Sequence, residues 1–171
     1  EYCSASEDIY VVVADADIVI MAMPSAYMKK FLEPLTVDLS NKIVVSVVKG
    51  IIPGDYLTIV EHIHRYYNVP MQNLCVVTGP SHAEEVAQGR LSYLTVAAED
   101  KSTAERVRSV LENEFFRCSL SDDVLGVEGA AIMKNIYALA VGMAVGLRFG
   151  DNFLAVLIAG CANEMKRFLD E

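Results

Sequence analysis

The sequence predicts an α/β fold, a doubly wound parallel sheet followed by the first helices of an all-α domain. Three observations carry that expectation. Short continuous apolar runs (DIVIMAM, IVVSVV, LCVVT) alternate with helix-like segments, the pattern of strands buried on both faces of a sheet. Each run ends in Pro-Ser, Lys-Gly or Gly-Pro-Ser, residues that turn a chain out of a strand and into a helix. Beyond residue 122 the strand pattern stops, and two long apolar segments follow with only GDN between them.

Taken in order, the chain opens on EYCSASEDIY without a methionine and closes on KRFLDE still in helical rhythm, so an internal segment of a longer protein is expected. Residues 17–23 read as the first strand, and SAYMKKFLEPL after Pro24 as a short helix. Residues 43–48 form the second strand, closed by Lys49-Gly50, and residues 55–67 the next helix. The third strand, residues 74–78, runs into GPSHAEEVA, which completes a right-handed βαβαβ arrangement. SYLTVAA and FFRCSLS, with a helix over 102–113 between them, extend the same sheet. Asp122-Asp123 offers an N-cap for the helix that contains AAIMKNIYALAVGMAVGLRF, GDN stops it, and residues 153–171 form a second one. The expected division is therefore residues 1–121 and residues 122–171.

Composition narrows the function. The net charge is −9, from 23 acidic against 14 basic side chains, which argues against nucleic acid or an anionic membrane surface as partner. An acidic chain binds an anionic small molecule through a few local lysines, which singles out Lys49 and Lys134. Cys3, Cys75, Cys118 and Cys161 are widely spaced, with no CxxC and no histidine at metal-ligand spacing. They read as free thiols of a reducing cytosol, with no metal. The apolar run 138–147 is shorter than the about 20 residues a bilayer requires, so it is expected to be a buried core helix and not a membrane span.

In open parallel sheets the ligand lies outside the carboxyl ends of the strands. Those ends here are Pro24-Ser25, Lys49-Gly50 and Gly79-Pro80-Ser81. Backbone N–H groups at the start of the helix after GPS would face an anion or carbonyl there, and the Ser81 hydroxyl would add a hydrogen bond. Glu84 and Glu85 suit the first turn of that helix without a catalytic role. Lys134 has two readings. With Ala130, Ala131, Tyr137 and Ala138 around it, it either sits dry, its pKa depressed to that of a general base, or it snorkels to water. Asn135 beside it is an amide able to hold a hydroxyl or phosphate oxygen. His82 is expected to cap or pack, His62 and His64 to be solvated, and Asp15, Asp17, Asp122 and Asp123 to cap or face water.

These motifs together resemble the bacterial NAD(P)-dependent glycerol-3-phosphate dehydrogenase family. DADIVIMAMPS, VVSVVKGI, GPSHAEEVA and MKNIYALAVGMAVGLRFGDN stand in the family's order and approximate spacing, and the resemblance covers essentially the whole chain. LSYLTVA and GDNFLAVLIAGCANEMKRF are most similar to the branch found in Bacteroidetes-like bacteria. The resemblance implies a partial Rossmann-like domain and the start of an all-α substrate domain. It implies NAD or NADP as cofactor, and hydride transfer between sn-glycerol 3-phosphate and dihydroxyacetone phosphate that feeds phospholipid synthesis. Lys134 would be the proton acceptor, and Lys49 would touch both substrate and dinucleotide. Gly79, Ser81 and Asn135 would line the substrate, with Ala83, Pro24 and Tyr27 against the dinucleotide. The expected partner set is a small-molecule substrate and a homodimer, in the cytoplasm, with no nucleic acid.

The family's GxGxxG fingerprint does not occur in the chain, and AGCANEM stands where many relatives carry an arginine. The chain alone is therefore expected to be inactive and to bind NADH weakly. Two other readings stand beside this one: a dehydrogenase of the 3-hydroxyacid or 6-phosphogluconate type, and an inert structural segment.

Overall fold

In the computed structural model, which describes residues 3–170, five strands form one sheet in chain order: β1 (Ile18–Met21), β2 (Ile43–Ser46), β3 (Leu74–Thr78), β4 (Ser92–Ala97) and β5 (Phe116–Ser121). The first three are parallel, and β2 is buried along its whole length, which is why its sequence is a run and not an alternation. Alternate residues of β2 and β3 feed two cores. Val44, Leu74 and Val76 meet Met28 and Leu32 of α2 (Met28–Leu32) and Ile59 and Ile63 of α3 (Ile59–Tyr67) on one face. On the other, Val45, Cys75 and Val77 meet Ala104 and Val107 of α5 (Lys101–Leu111). A short helix α1 (Ile9–Val13), capped by the Asp8 side chain, precedes the sheet.

The α/β class and all five strands agree with the sequence. The direction of β4 does not: it runs antiparallel to β3, and β5 is parallel to β4. The cause lies in the connection. The helix after GPS, α4 (Ala83–Ala87), has five residues, about 7 Å of rise at 1.5 Å per residue. That is too short to carry the chain back along β3, so the chain turns and returns as β4.

Helix α6 (Val124–Gly146) starts at Asp123, whose carboxylate accepts the Gly126 N–H, and α7 (Asp151–Leu169) packs beside it. The expected end at residue 171 lies outside the described residues. The expectation of a buried core helix is corrected here. Only Val124, Glu128, Ala131 and Ala144 of α6 are buried, while Ile136, Leu139 and Met143 are more than half exposed. A helix apolar on every side needs neighbours on every side, and α7 supplies one. With 23 residues and a mean hydropathy of 1.4, α6 is long and apolar enough to cross a bilayer. Its first turns nevertheless pack on β3 and β4, and Lys134 lies at its midpoint.

The strand ends approach one another closely. Gly50 has φ +141°, and a Cβ there would collide with the Ser25 hydroxyl, so only glycine lets the end of β2 pass the turn after β1. Gly50→Ala is expected to lower stability by about 1–3 kcal/mol, read by denaturant unfolding. An unchanged midpoint and slope would show that the two turns are not in contact.

Candidate functional site

The loops after β2 and β3 enclose a groove of ≈ 360 Å³ at the carboxyl ends of the strands. Lys49, Gly79, Ser81 and Ala83 all line it, over a floor that includes Ile20, Val45 and Val77. The structure thus brings together four of the residues singled out in the sequence. Gly79 has φ +151°, and a Cβ on it would strike the Tyr93 carbonyl, so the turn lies flat against β4. His82 occupies the N-cap of α4 but its side chain makes no capping hydrogen bond, and it is exposed. A five-residue helix has few aligned peptide dipoles, so the anion-binding contribution expected from its N-terminus is small.

Pro24 and Tyr27 lie elsewhere. Pro24 caps the 3-10 turn Ser25–Tyr27 that leads into α2. Tyr27, 58% exposed, lines a separate groove of ≈ 600 Å³ with Ile9, Val12, Met23 and Phe31, between α1 and α2. Lys134 and Asn135 are on an exposed part of α6 and form no wall of either groove. The dry surroundings that the neighbouring alanines suggested are absent: these residues are small, and among the described residues nothing larger packs over the ammonium. Neither Lys49 nor Lys134 has an ion-pair partner among the described residues, so both charges are available to an anion.

Two buried titratable groups stand out that sequence reasoning missed. His62, expected in water, is 4% exposed on the inner face of α3. Its Nδ1 lies 3.2 Å from Asp55 Oδ2, its ring packs on Tyr66, and the Lys29 ammonium holds the other Asp55 oxygen at 2.6 Å. Burial holds the His62 pKa below its usual 6.5, against the pull of Asp55. The signal was its spacing, three residues after Ile59 and four before Tyr66, on the apolar side of the helix.

The second is Glu128, fully buried on the first turns of α6. Its Oε1 accepts the backbone N–H of Ile59 at 3.0 Å and lies 3.4 Å from that of Val60. Thr58 and Glu61 satisfy each other's N–H through a capping box, so the four amides that begin α3 are all provided for. Oε2 is buried without a partner. Desolvation outweighs the two amides and the Thr58 hydroxyl, with Glu61 adding repulsion, and raises the Glu128 carboxyl to about 6. The signal lay in VEGAA, one acid set among small residues that allow close approach.

Comparison with known proteins gives a consistent set. Residues 1–104 match the family model for the N-terminus of NAD-dependent glycerol-3-phosphate dehydrogenase, and residues 123–171 match the model for its C-terminus. A glycerol-3-phosphate dehydrogenase [NAD(P)+] of Halothermothrix orenii is 38% identical over 171 residues, covering 98% of this chain and 48% of that protein. One of Lysinibacillus sphaericus is 36% identical over 167 residues, covering 95% and 49%. Among solved structures, glycerol-3-phosphate dehydrogenase of Coxiella burnetii superposes with a TM-score of 0.84 at 26% identity, over 95% of this chain and 50% of that one. The Plasmodium falciparum enzyme gives 0.84 at 26% identity, over 92% and 44%. The chain thus spans about half the length of the curated relatives it matches.

The buried carboxyl makes stability depend on pH. The folded state favours neutral Glu128, so this contribution is complete below 4.5 and is lost as pH rises through about 6. Glu128→Gln removes the titration. Its stability relative to the natural protein is expected to improve by about 2 kcal/mol between pH 4 and 7, measured by urea unfolding. A difference that does not change with pH would show that the carboxyl is not shifted.

Proposed function

This chain belongs to the NAD-dependent glycerol-3-phosphate dehydrogenase family, and from that premise we propose that it carries part of the active site of an oxidoreductase. The proposed reaction interconverts sn-glycerol 3-phosphate and dihydroxyacetone phosphate with NAD or NADP, and supplies glycerol 3-phosphate for phospholipid synthesis. The observation that carries the reading is the convergence of Lys49, Gly79, Ser81 and Ala83 on one groove at the strand ends. An apolar floor with a few polar groups at its rim suits a flat heterocycle with a small polar substrate beside it. The Gly79 turn, pressed against the β4 backbone where any side chain would collide, forms one wall of the groove. When bound, the dinucleotide supplies a hydride acceptor at the nicotinamide C4.

The residues of this chain do the remaining work. Lys134 takes the proton of the C2 hydroxyl as the alcohol is oxidised, and returns it when the ketone is reduced. Lys49 places positive charge near the same oxygen and orients it. The Ser81 hydroxyl and the Asn135 amide hold substrate oxygens. Ala83, small enough for close approach, lies against the dinucleotide in this groove, and Pro24 and Tyr27, outside the groove at the turn after β1, contact a different part of it. Lys134 is exposed on α6, open to a substrate hydroxyl.

The proposed domains are residues 1–121, which bind the dinucleotide, and 122–171, which begin the substrate domain. The end of one family match at 104 and the start of the next at 123 support that division. The exposed apolar faces of α6 and α7, including Ile136, Leu139 and Val156, support a homodimer. Four unpaired thiols support a cytoplasmic location. A 3-hydroxyacid or 6-phosphogluconate-type dehydrogenase is less well supported, because the family and relatives matched are glycerol-3-phosphate dehydrogenases.

In the full-length enzyme, Lys134→Ala is expected to lower kcat about 10²–10⁴-fold and to leave NADH affinity unchanged in titration calorimetry. Retained turnover would remove Lys134 from the chemistry. Glycerol 3-phosphate is expected to be oxidised far faster than 3-hydroxyisobutyrate, and a reversed preference would overturn the substrate assignment.

A further inference from the structure

We propose that Glu128 is a positioning residue, which caps the start of α3 from α6 and thereby fixes the angle at which α6, carrying Lys134 and Asn135, leaves the sheet. The proposal rests on the reading of Lys134 as the base. Because β2 and β3 are parallel neighbours, α3 must run back against them, and its first residues lie at their carboxyl edge. That is the edge that carries Lys49 and Gly79. Glu128 reaches across 69 residues of sequence to the Ile59 amide and so ties α6 to this edge.

The helix is held on both sides of this tie, and its continuous exposed run begins only beyond Met133. Val124 is packed in the sheet core and Ala131 is buried, whereas Lys134, Asn135 and Ile136 are exposed. Glu128 is therefore among the last anchors of α6 before the segment that carries the proposed base. The Leu169 side chain lies against Gly129, where a Cβ would meet it at 2.6 Å, so α7 packs on the same turn of α6. Lys134 is six residues beyond Glu128, about 9 Å along the axis. A tilt of about 10° about Glu128 displaces that backbone by about 1.5 Å, enough to cost about 10²-fold in a reaction that depends on approach geometry.

Residual dipolar couplings on this chain test the proposal. In the natural protein and in Glu128→Gln, which keeps an acceptor for Ile59, the sheet and the α6–α7 pair should share one alignment tensor. In Glu128→Ala and Glu128→Met the sheet should keep its tensor, while that of the helices rotates or shrinks. Glu128→Met fills the same space without an acceptor, so it carries the test if the alanine variant does not fold. A single shared tensor in the folded acceptor-less variants would overturn the proposal. In the full-length enzyme the methionine variant should lose about 10–100-fold in kcat with an unchanged KM for NADH, and the glutamine variant should retain activity. Separated tensors with full activity in Lys134→Ala would leave Glu128 as a positioning residue and reject only the base.

Discussion

The start of α3 is the place on which the arrangement of this chain depends. A helix begins with backbone N–H groups that have no partner inside it, and in a dry environment each one left bare costs about 1–3 kcal/mol. Thr58 and Glu61 provide for two of them locally, and Glu128 provides for the other two from α6. The result is a joint between the sheet and the helices that follow it, made by a carboxylate whose own burial opposes its ionisation. The neighbouring Lys29–Asp55–His62 cluster secures the preceding loop to α2 and α3, so both ends of that corner are tied by polar contacts. The loop that starts at Lys49 therefore leaves β2 and arrives at α3 with its exit and its destination both held.

Much of the sheet was legible because β2 and β3 are buried on both faces, which leaves an unbroken apolar run in the sequence. The direction of β4 was not. Direction is set by whether the preceding connection can span the sheet, and GPSHAEEVA reads as a helix start without revealing that the helix ends after one turn and a half. His62 and Glu128 were also misjudged or overlooked, for a common reason. A charged or titratable residue reads as solvated unless the elements that bury it are visible: those that cover His62 come from the packing of α3, and the partner of Glu128 is 69 residues away.

The site was legible to the extent that strand-end topology determines it. Lys49, Gly79, Ser81 and Ala83 meet because parallel neighbours present their carboxyl ends on one edge. Tyr27 lines another groove because it ends the 3-10 turn Ser25–Tyr27, which borders the space shared with Ile9 and Val12 of α1. The surroundings of Lys134 could not be read from AAIMKNIYALAVG. Small apolar neighbours describe what the helix offers for packing, and what covers it is decided by other elements. Here α7 covers one side, and the lysine faces outward.

Native-state hydrogen exchange at the first turn of α3 tests the joint most directly. In the natural protein the Ile59 and Val60 amides should be protected as strongly as those in the middle of α3. In Glu128→Ala these two should exchange faster by orders of magnitude, while Thr58 and Glu61, held by their own capping box, change little. Protection at Ile59 and Val60 that survives the loss of the carboxylate would contradict the account.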